Sequence, residues 1–455
     1  MGIVTIGITC AENKRLMEHD LTELITRVAL QLSVILIAAK LAGEICERWL
    51  KVPPVLGELL AGVLIGPHLL GGMRFGPFGP LFPEALQAND TVAVPTEVYA
   101  FAQIAAVLLL FMAGLETNLA QFLRYAGPAS LVALGGVVLP FLLGAGITVG
   151  MGFAPQGFAD PHALFMGAVL TATSVGITAR VLADLHRLNT PEGVTVMAAA
   201  VIDDVLGILV LTIVVGIADR GSISVSQVAL VGGKAIGFWL ALTGIGILVA
   251  MRVGRFLEGF KLEGAAAALA VALGLLGAFL AESVGLAMII GAYSVGLALS
   301  RAPLAHRITP TLMGAYHLLV PVFFVVMGTL VDIRALGGAI GFGLLITAAA
   351  FVGKVVGCGL PALGLGFTER GALRIGVGML PRGEVALIVA GVGLTRGVVS
   401  NEMFSVAVLM TVVTTLVAPI WLVPLFQRGG SGLRKAPKAL SETPAAAHSP
   451  EDGGE

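Results

Sequence analysis

Long apolar runs fill almost the whole chain up to about residue 426, separated by short charged or Pro-, Gly- and Asn-containing breaks. A helix needs about 20 apolar residues, within a range of about 17–25, to cross the hydrocarbon of a bilayer. Thirteen runs fit this pattern, near 24–46, 54–71, 96–116, 125–150, 161–182, 192–217, 226–251, 262–281, 284–300, 312–331, 337–361, 371–395 and 403–426. The second and ninth are short, and only Glu282 and Ser283 divide the eighth from the ninth. The pattern predicts an all-α polytopic membrane protein of about 13 transmembrane helices. Residues 1–427 form the membrane domain. The Ala-, Pro-, Ser-, Gly- and acid-rich stretch 428–455 is expected to be a short disordered tail with no room for a nucleotide-binding or regulatory domain.

Composition agrees. Hydrophobic residues make up 57% of the 455 positions and charged residues only 12%, half the roughly 25% usual in soluble domains. The 61 glycines suit helices that pack closely through small residues. A net charge of −1 argues against a nucleic-acid or acidic partner. Cys10, Cys46 and Cys358 are dispersed, without metal-ligand spacing or a disulfide framework. The apolar segment from Gly2 to Cys10 lacks the basic lead-in of a signal peptide. No cofactor motif is present.

Charge placement fixes an orientation. An odd number of spans puts the termini on opposite sides of the membrane. With the C-terminus cytoplasmic, the inner loops and tail hold sixteen basic residues against seven outside, as the positive-inside rule requires. The expectation is a cell inner-membrane protein with its N-terminus outside.

Two features repeat across the halves. Leu110 to Glu116 at the end of span three is echoed by Val325 to Asp332 at the end of span ten. Spans five and twelve each carry a polar interruption, from Thr171 to Gly176 and from Gly378 to Glu384. An offset of seven spans means opposite orientation, so the halves read as an inverted repeat. Broken helices at corresponding places point to the substrate site of such a transporter, because unwound backbone at membrane depth must be buried or line a cavity.

The strongest chemical signal is Asp203 and Asp204, halfway along span six. A charge at the bilayer centre costs about 2.5–3.5 kcal/mol on insertion scales, so two adjacent carboxylates demand a function or a firm partner. They should titrate as a coupled pair, holding protons under one condition and a hard monovalent cation under another. Lys354 in span eleven is either the partner of a central carboxylate or a lysine snorkelling from a helix end. Thr171, Thr173, Ser174 and the carbonyls near Val175 offer neutral oxygens to a hard cation, or the hydroxyls bond back to their own helix. Arg382 and Glu384 flank Gly383 beside Pro381, and either compensate the dipoles of broken helices as a structural ion pair or take part in transport. Glu58 sits where a helix dipole alone would account for it. His317 is a candidate pH sensor or a structural histidine. Lys40, Glu44, Lys234 and Glu282 read as helix-end or interface residues.

These segments resemble the monovalent cation:proton antiporter-2 family, and within it the bacterial sodium/proton antiporters with paired aspartates. The resemblance runs over essentially the whole membrane domain. It rests on Val55 to Pro67, Leu110 to Glu116, Thr171 to Leu182, Ile202-Asp203-Asp204, Gly353-Lys354 and Pro381 to Glu384, in that order. It implies a core transport part at about 96–217 and 312–426, with spans five and twelve crossing at their breaks. It also implies a dimerisation or scaffold part at about 24–71 and 226–300, a homodimer in membrane lipid, and elevator-like alternating access. Residue by residue, it implies that Asp204 binds the cation, that Asp203 pairs with Lys354 and releases it when protons leave, and that Thr173 and Ser174 lie at the crossing. Paired aspartates with a membrane lysine mark the electrogenic type.

The expected function is secondary active exchange of a monovalent cation, Na⁺ and also Li⁺, for H⁺. A K⁺/H⁺ antiporter on the same scaffold and a sodium-coupled organic solute symporter are the rivals. An intramembrane aspartyl protease is disfavoured, because adjacent residues of one helix diverge by about 100° and cannot converge on a peptide bond.

Overall fold

The structure, a computed structural model, describes residues 2–50, 53–73, 79–82, 94–220, 225–329, 340–395 and 397–434. Among these, the elements are helical, and an isolated bridge joins Phe367 to Leu433. In chain order the helices are α1 (Gly2–Ile45), α2 (Pro54–Ile65), α3 (Thr96–Glu116), α4 (Leu119–Gly150), α5 (Pro161–Thr171), α6 (Val175–Asp184), α7 (Pro191–Arg220) and α8 (Val225–Glu258). They continue as α9 (Ala265–Ser283), α10 (Met288–Leu299), α11 (Leu304–Thr329), α12 (Ile340–Gly364), α13 (Glu369–Gly378), α14 (Glu384–Thr395) and α15 (Asn401–Gln427).

Helix starts follow local chemistry. Proline opens α2, α5 and α7, where its missing N–H costs nothing. Asn118, Asp160, Thr368 and Ser400 cap α4, α5, α13 and α15 by accepting from backbone N–H groups of the first turn. Burial alone would raise the Asp160 carboxyl, but hydrogen bonds from the His162 ring and from the backbone of His162 and Gln156 hold it below the usual aspartate range.

Among the described residues eleven helical stretches are long and apolar enough to cross a membrane, which makes this a multi-pass membrane protein. The count falls short of the expected thirteen by this measure. The ninth expected span is the 12-residue α10, and the twelfth is divided into the 10-residue α13 and the 12-residue α14. The predicted interruptions are real: Ala172 and Ser174 are extended between α5 and α6, and Leu380 to Gly383 are non-helical ahead of α14. The echo of span three in span ten lies partly outside the described residues, since α11 ends at Thr329 and 330–339 are not described.

Packing sorts the helices into two groups. One is built around α4 and α12 and includes α5, α7, α13, α14 and α15. Here α4 and α12 touch backbone to backbone, since a β-carbon on Gly135 would meet the Gly357 carbonyl and one on Gly357 the Gly135 carbonyl. The other contains α1, α2, α3, α8, α9, α10 and α11. The resemblance put spans three and ten with the transport part, yet α3 and α11 lie against α10 and α2. The reason is steric: Gly114 and Gly296 let α3 and α10 approach until a β-carbon on either would meet the other helix's backbone. α6 lies at the seam, touching α7 and α15 on one side and α2 and α3 on the other.

The side chains of α8 that face outward are large and apolar, including Leu240, Ile245 and Leu248. In contrast, the α5–α6 stretch is buried throughout its most apolar window. The exterior is therefore dressed for lipid, and the polar breaks are enclosed in protein.

The tail departs from expectation near its start. Residues 429–434 fold back on α13 and α7 instead of leaving the domain. Arg374 of α13 donates to the carbonyls of Leu425, Gly429 and Gly430 at 3.0, 2.6 and 3.1 Å and pairs with Glu192 of α7 at 2.7 Å. The remainder of the expected tail, 435–455, lies outside the described residues.

Candidate functional site

The two breaks meet. The backbone N–H of Ser174 donates to the Pro381 carbonyl at 2.7 Å. The Thr178 hydroxyl donates to the Gly378 carbonyl at 2.7 Å, and the Thr173 hydroxyl to the Met379 carbonyl at 3.4 Å. α5 packs on α14, first half against second half, the arrangement of two broken helices running in opposite directions. Four helix ends therefore converge. The N-termini of α6 and α14 bring positive partial charge, and the C-termini of α5 and α13 bring unsatisfied carbonyls.

Arg382 answers part of that demand. Fully buried, it donates to the carbonyls of Leu380 at 3.1 Å, Leu170 at 2.8 Å and Ala350 at 3.5 Å. Leu170 is in the last turn of α5, so the guanidinium caps a broken helix with a full positive charge. The Thr415 hydroxyl of α15 donates to the Arg382 carbonyl. Of the two readings open for Arg382, its contacts are those of dipole compensation. The side chain of its expected partner, Glu384, lies outside the described residues.

Asp203 and Asp204 sit on the middle of α7 and are both buried, at 2% and 5% exposure. Lys354 reaches from α12 to place Nζ 3.0 Å from Oδ1 and 3.1 Å from Oδ2 of Asp203. Lys354 is fully buried, so it does not snorkel. The Thr173 hydroxyl also reaches Asp203, and Arg382 acts on it through space. The structure thus joins Asp203, Lys354 and Thr173 directly, and puts Asp204 one residue on, about 100° around the helix. The Ser174 hydroxyl is buried at the crossing without a hydrogen-bond partner, a neutral oxygen open to a further ligand. Thr171 bonds back to Ala168 on its own helix and has left the candidate set.

A cavity of about 690 Å³ lies toward the C-terminal end of α6, lined by Glu58, Glu116, Arg180, Asp184, Tyr316 and His317 among others. The space left between Leu59, Val63, Ile177, Met327, Leu387 and Val412 is about 30 Å³, room for roughly one water.

Sequence reasoning missed two charges here. Arg180 is buried in α6, with Nε 3.0 Å from Asp184 and a terminal nitrogen 3.9 Å from Glu58. Glu58 is correspondingly more than a dipole-stabilised end residue, at 2% exposure. The signal was present, since Arg180 interrupts the apolar stretch from Val175 to Leu182. Gly136 of α4 was missed as well: a β-carbon there would lie 3.5 Å from Lys354 Nζ and 2.5 Å from Cys358 Sγ.

Comparison with known proteins decides the family. The transmembrane sodium/hydrogen exchanger family matches residues 32–428. The chain belongs to the sodium/hydrogen exchanger family. It is thus a monovalent cation:proton antiporter family member, as the motifs implied. Among curated exchangers it is similar to the high-affinity Na⁺/H⁺ antiporter NhaS3 of Synechocystis, 37% identical over 440 residues, covering 92% of this chain and 93% of that one. It is also similar to the Na⁺/H⁺-K⁺ antiporter GerN of Bacillus cereus, 34% identical over 392 residues, covering 86% and 94%. The sodium proton antiporter MjNhaP1 of Methanocaldococcus jannaschii shares the exchanger fold, with a TM-score of 0.66 at 20% identity over 89% of this chain and 98% of that one.

Proposed function

We propose that this exchanger carries Na⁺, and Li⁺, out of the cell in return for H⁺, electrogenically and by elevator-type alternating access. The observation that carries the reading is the buried Lys354–Asp203 pair beside Asp204, at the place where two broken helices cross. Beside the carboxylate that holds the lysine lies a second one, Asp204, whose oxygens can take a proton or a monovalent cation. Two acidic groups and a lysine can exchange more than one proton per monovalent ion, and the imbalance moves net charge.

In this reading Asp204 loses its proton to the cytoplasm and takes a cation, with Thr173 and Ser174 oxygens close by. Asp203 and Lys354 part as protons leave and re-form when they return. The neutralised helices around α4 and α12 slide against the scaffold of α1, α2, α3 and α8 to α11. On the far side, protons displace the ion and reset the carrier. The scaffold is the dimer-forming part of a homodimer in the plasma membrane. The C-terminal end of α15 and the 690 Å³ cavity face the cytoplasm, in keeping with the excess of basic residues on that side.

The name of the Bacillus cereus relative includes K⁺, so K⁺/H⁺ exchange is the second reading. Both are tested by ΔpH dissipation in proteoliposomes that also hold a proton pump. Na⁺, Li⁺ and K⁺ are added in turn to the wild type and to Asp204→Asn. Collapse of ΔpH on adding Na⁺ or Li⁺, absent in the variant, supports the proposal, and a response to K⁺ alone selects the second reading. Silence to every cation across about pH 6–9, with folded protein, would overturn antiport and bring the sodium-coupled symporter forward.

A further inference from the structure

Beside the crossing the seam between the two helix groups is lined mostly by apolar side chains such as Leu59, Val63, Ile177 and Met327. At the 690 Å³ cavity it is bridged by charge. Arg180 belongs to α6, which continues the broken span begun by α5 in the group around α4 and α12, whereas Glu58 belongs to α2 and Tyr316 to α11 in the other group. A terminal nitrogen of Arg180 lies 3.9 Å from Glu58 Oε1, and its guanidinium carbon lies 5.2 Å from the centre of the Tyr316 ring. All three side chains are buried in the wall of the 690 Å³ cavity. Among the described residues this is the ion pair that crosses the seam. The Asp203–Lys354 and Glu192–Arg374 pairs each lie within the group around α4 and α12.

The pair is built to hold and to yield. At 3.9 Å it attracts without a hydrogen bond, and Glu58 Oε2 and the other terminal nitrogen of Arg180 are buried with no hydrogen-bond partner. Opposite charges shielded from water attract strongly over such distances, and the Tyr316 ring adds a cation–π contact. Asp184, 3.0 Å from Arg180 Nε on the same helix, travels with Arg180. Parting from Glu58 therefore never strands the guanidinium without a counter-charge. Glu58 in turn borders the cavity that Lys40 also lines, where water and a second cation replace what it loses.

We propose that Arg180 is a positioning residue for transport. Its contact with Glu58 and Tyr316 across the seam holds α6 in the state open to the cavity, and the contact must part before the site can face the other side. This rests on the sliding motion proposed above. The pair sets the balance between the two facing states and the turnover rate, and it leaves cation binding at the crossing alone.

The test uses full-length protein in detergent with Cys10, Cys46 and Cys358 replaced and one reporter, Met313→Cys, in the cavity wall. The rate of maleimide labelling reads how often the cavity is open. Glu58→Gln keeps the shape and removes the charge. Labelling is expected to slow about fivefold as the population moves away from the open state. In proteoliposomes the maximal exchange rate should change several-fold while the cation concentration for half-maximal exchange stays within about twofold. If thermal unfolding shows Glu58→Gln to be misfolded, Tyr316→Leu carries the test, because it leaves both charges in place. Labelling and exchange rates equal to wild type in a folded variant would overturn the proposal. Failure of the sliding motion itself has a different signature: adding Na⁺ would then leave reporter labelling unchanged in the wild type too.

Discussion

Nζ of Lys354 lies 3.0 Å from Oδ1 and 3.1 Å from Oδ2 of Asp203, and neither side chain is exposed. Desolvating two charges is costly, and their attraction offsets that only while both are present. Lys354→Ala should therefore destabilise the protein by about 3–5 kcal/mol, because it leaves an uncompensated buried carboxylate. The double variant Asp203→Asn, Lys354→Gln should recover most of that loss. Thermal unfolding of the two singles and the double gives the coupling directly, and additive losses would show that the pair is not a unit.

Arg382 reaches three carbonyls through a planar fork. A lysine carries the same charge but cannot satisfy three separated acceptors with that geometry. Arg382→Lys is expected to cost about 1–3 kcal/mol for each carbonyl left unsatisfied and to reduce cation-triggered ΔpH collapse strongly. Transport at the wild-type rate with unchanged unfolding would remove Arg382 from the crossing's support.

Gly136 leaves α4 open where Lys354 and Cys358 pass. Gly136→Val should push the lysine away from Asp203 at a cost of about 1–3 kcal/mol from overpacking. Pairing it with Cys358→Ala, which removes the nearer obstruction at 2.5 Å, should restore part of both stability and exchange. No rescue would mean that the strain falls elsewhere.

Asp160 caps α5 by accepting from the backbone N–H of His162, and its other carboxylate oxygen accepts from the backbone N–H of Gln156 in the preceding loop. Its carboxyl is held low in the folded protein. A group depressed on folding contributes stability above its unfolded value, about pH 3.9, and that contribution is lost as pH falls through the folded value. Asp160→Ala should cost about 1 kcal/mol at neutral pH, and the gap from wild type should close only under strong acid. A gap that persists in strong acid would show that the Asp160 carboxylate is not what stabilises the start of α5.

Arg374 clasps residues 429–430 against Glu192. Truncation after Arg428 should destabilise the α7–α13 corner, whereas truncation after Arg434 should be neutral in unfolding and exchange. Equal behaviour of the two truncations would show that the strap is dispensable.

Some of this was legible from the chain because the residues are locally anomalous. Two aspartates in an apolar span, a lysine in another, and Pro or Ser/Thr interruptions within spans five and twelve each break a strong periodic signal, and all of them are buried where the breaks meet. Arg180 and Glu58 escaped notice because each is close enough to a span end to read as ordinary. Their meaning appears only when α2 and α6 are brought together. Nothing in the tail's composition announced the buried clasp that Arg374 makes with residues 429–430.

The sequence by itself determined that the chain crosses a bilayer many times, that two of its helices are broken, and that ionisable groups sit in its apolar spans. Those properties follow from composition and period along one dimension. The tertiary structure alone decided that Arg180 meets Glu58, that Arg382 caps α5, and that α3 and α11 pack with α10 and α2. Such pairings depend on how closely helices far apart in the chain approach, which is set by glycines facing one another across the contacts and not by any local pattern.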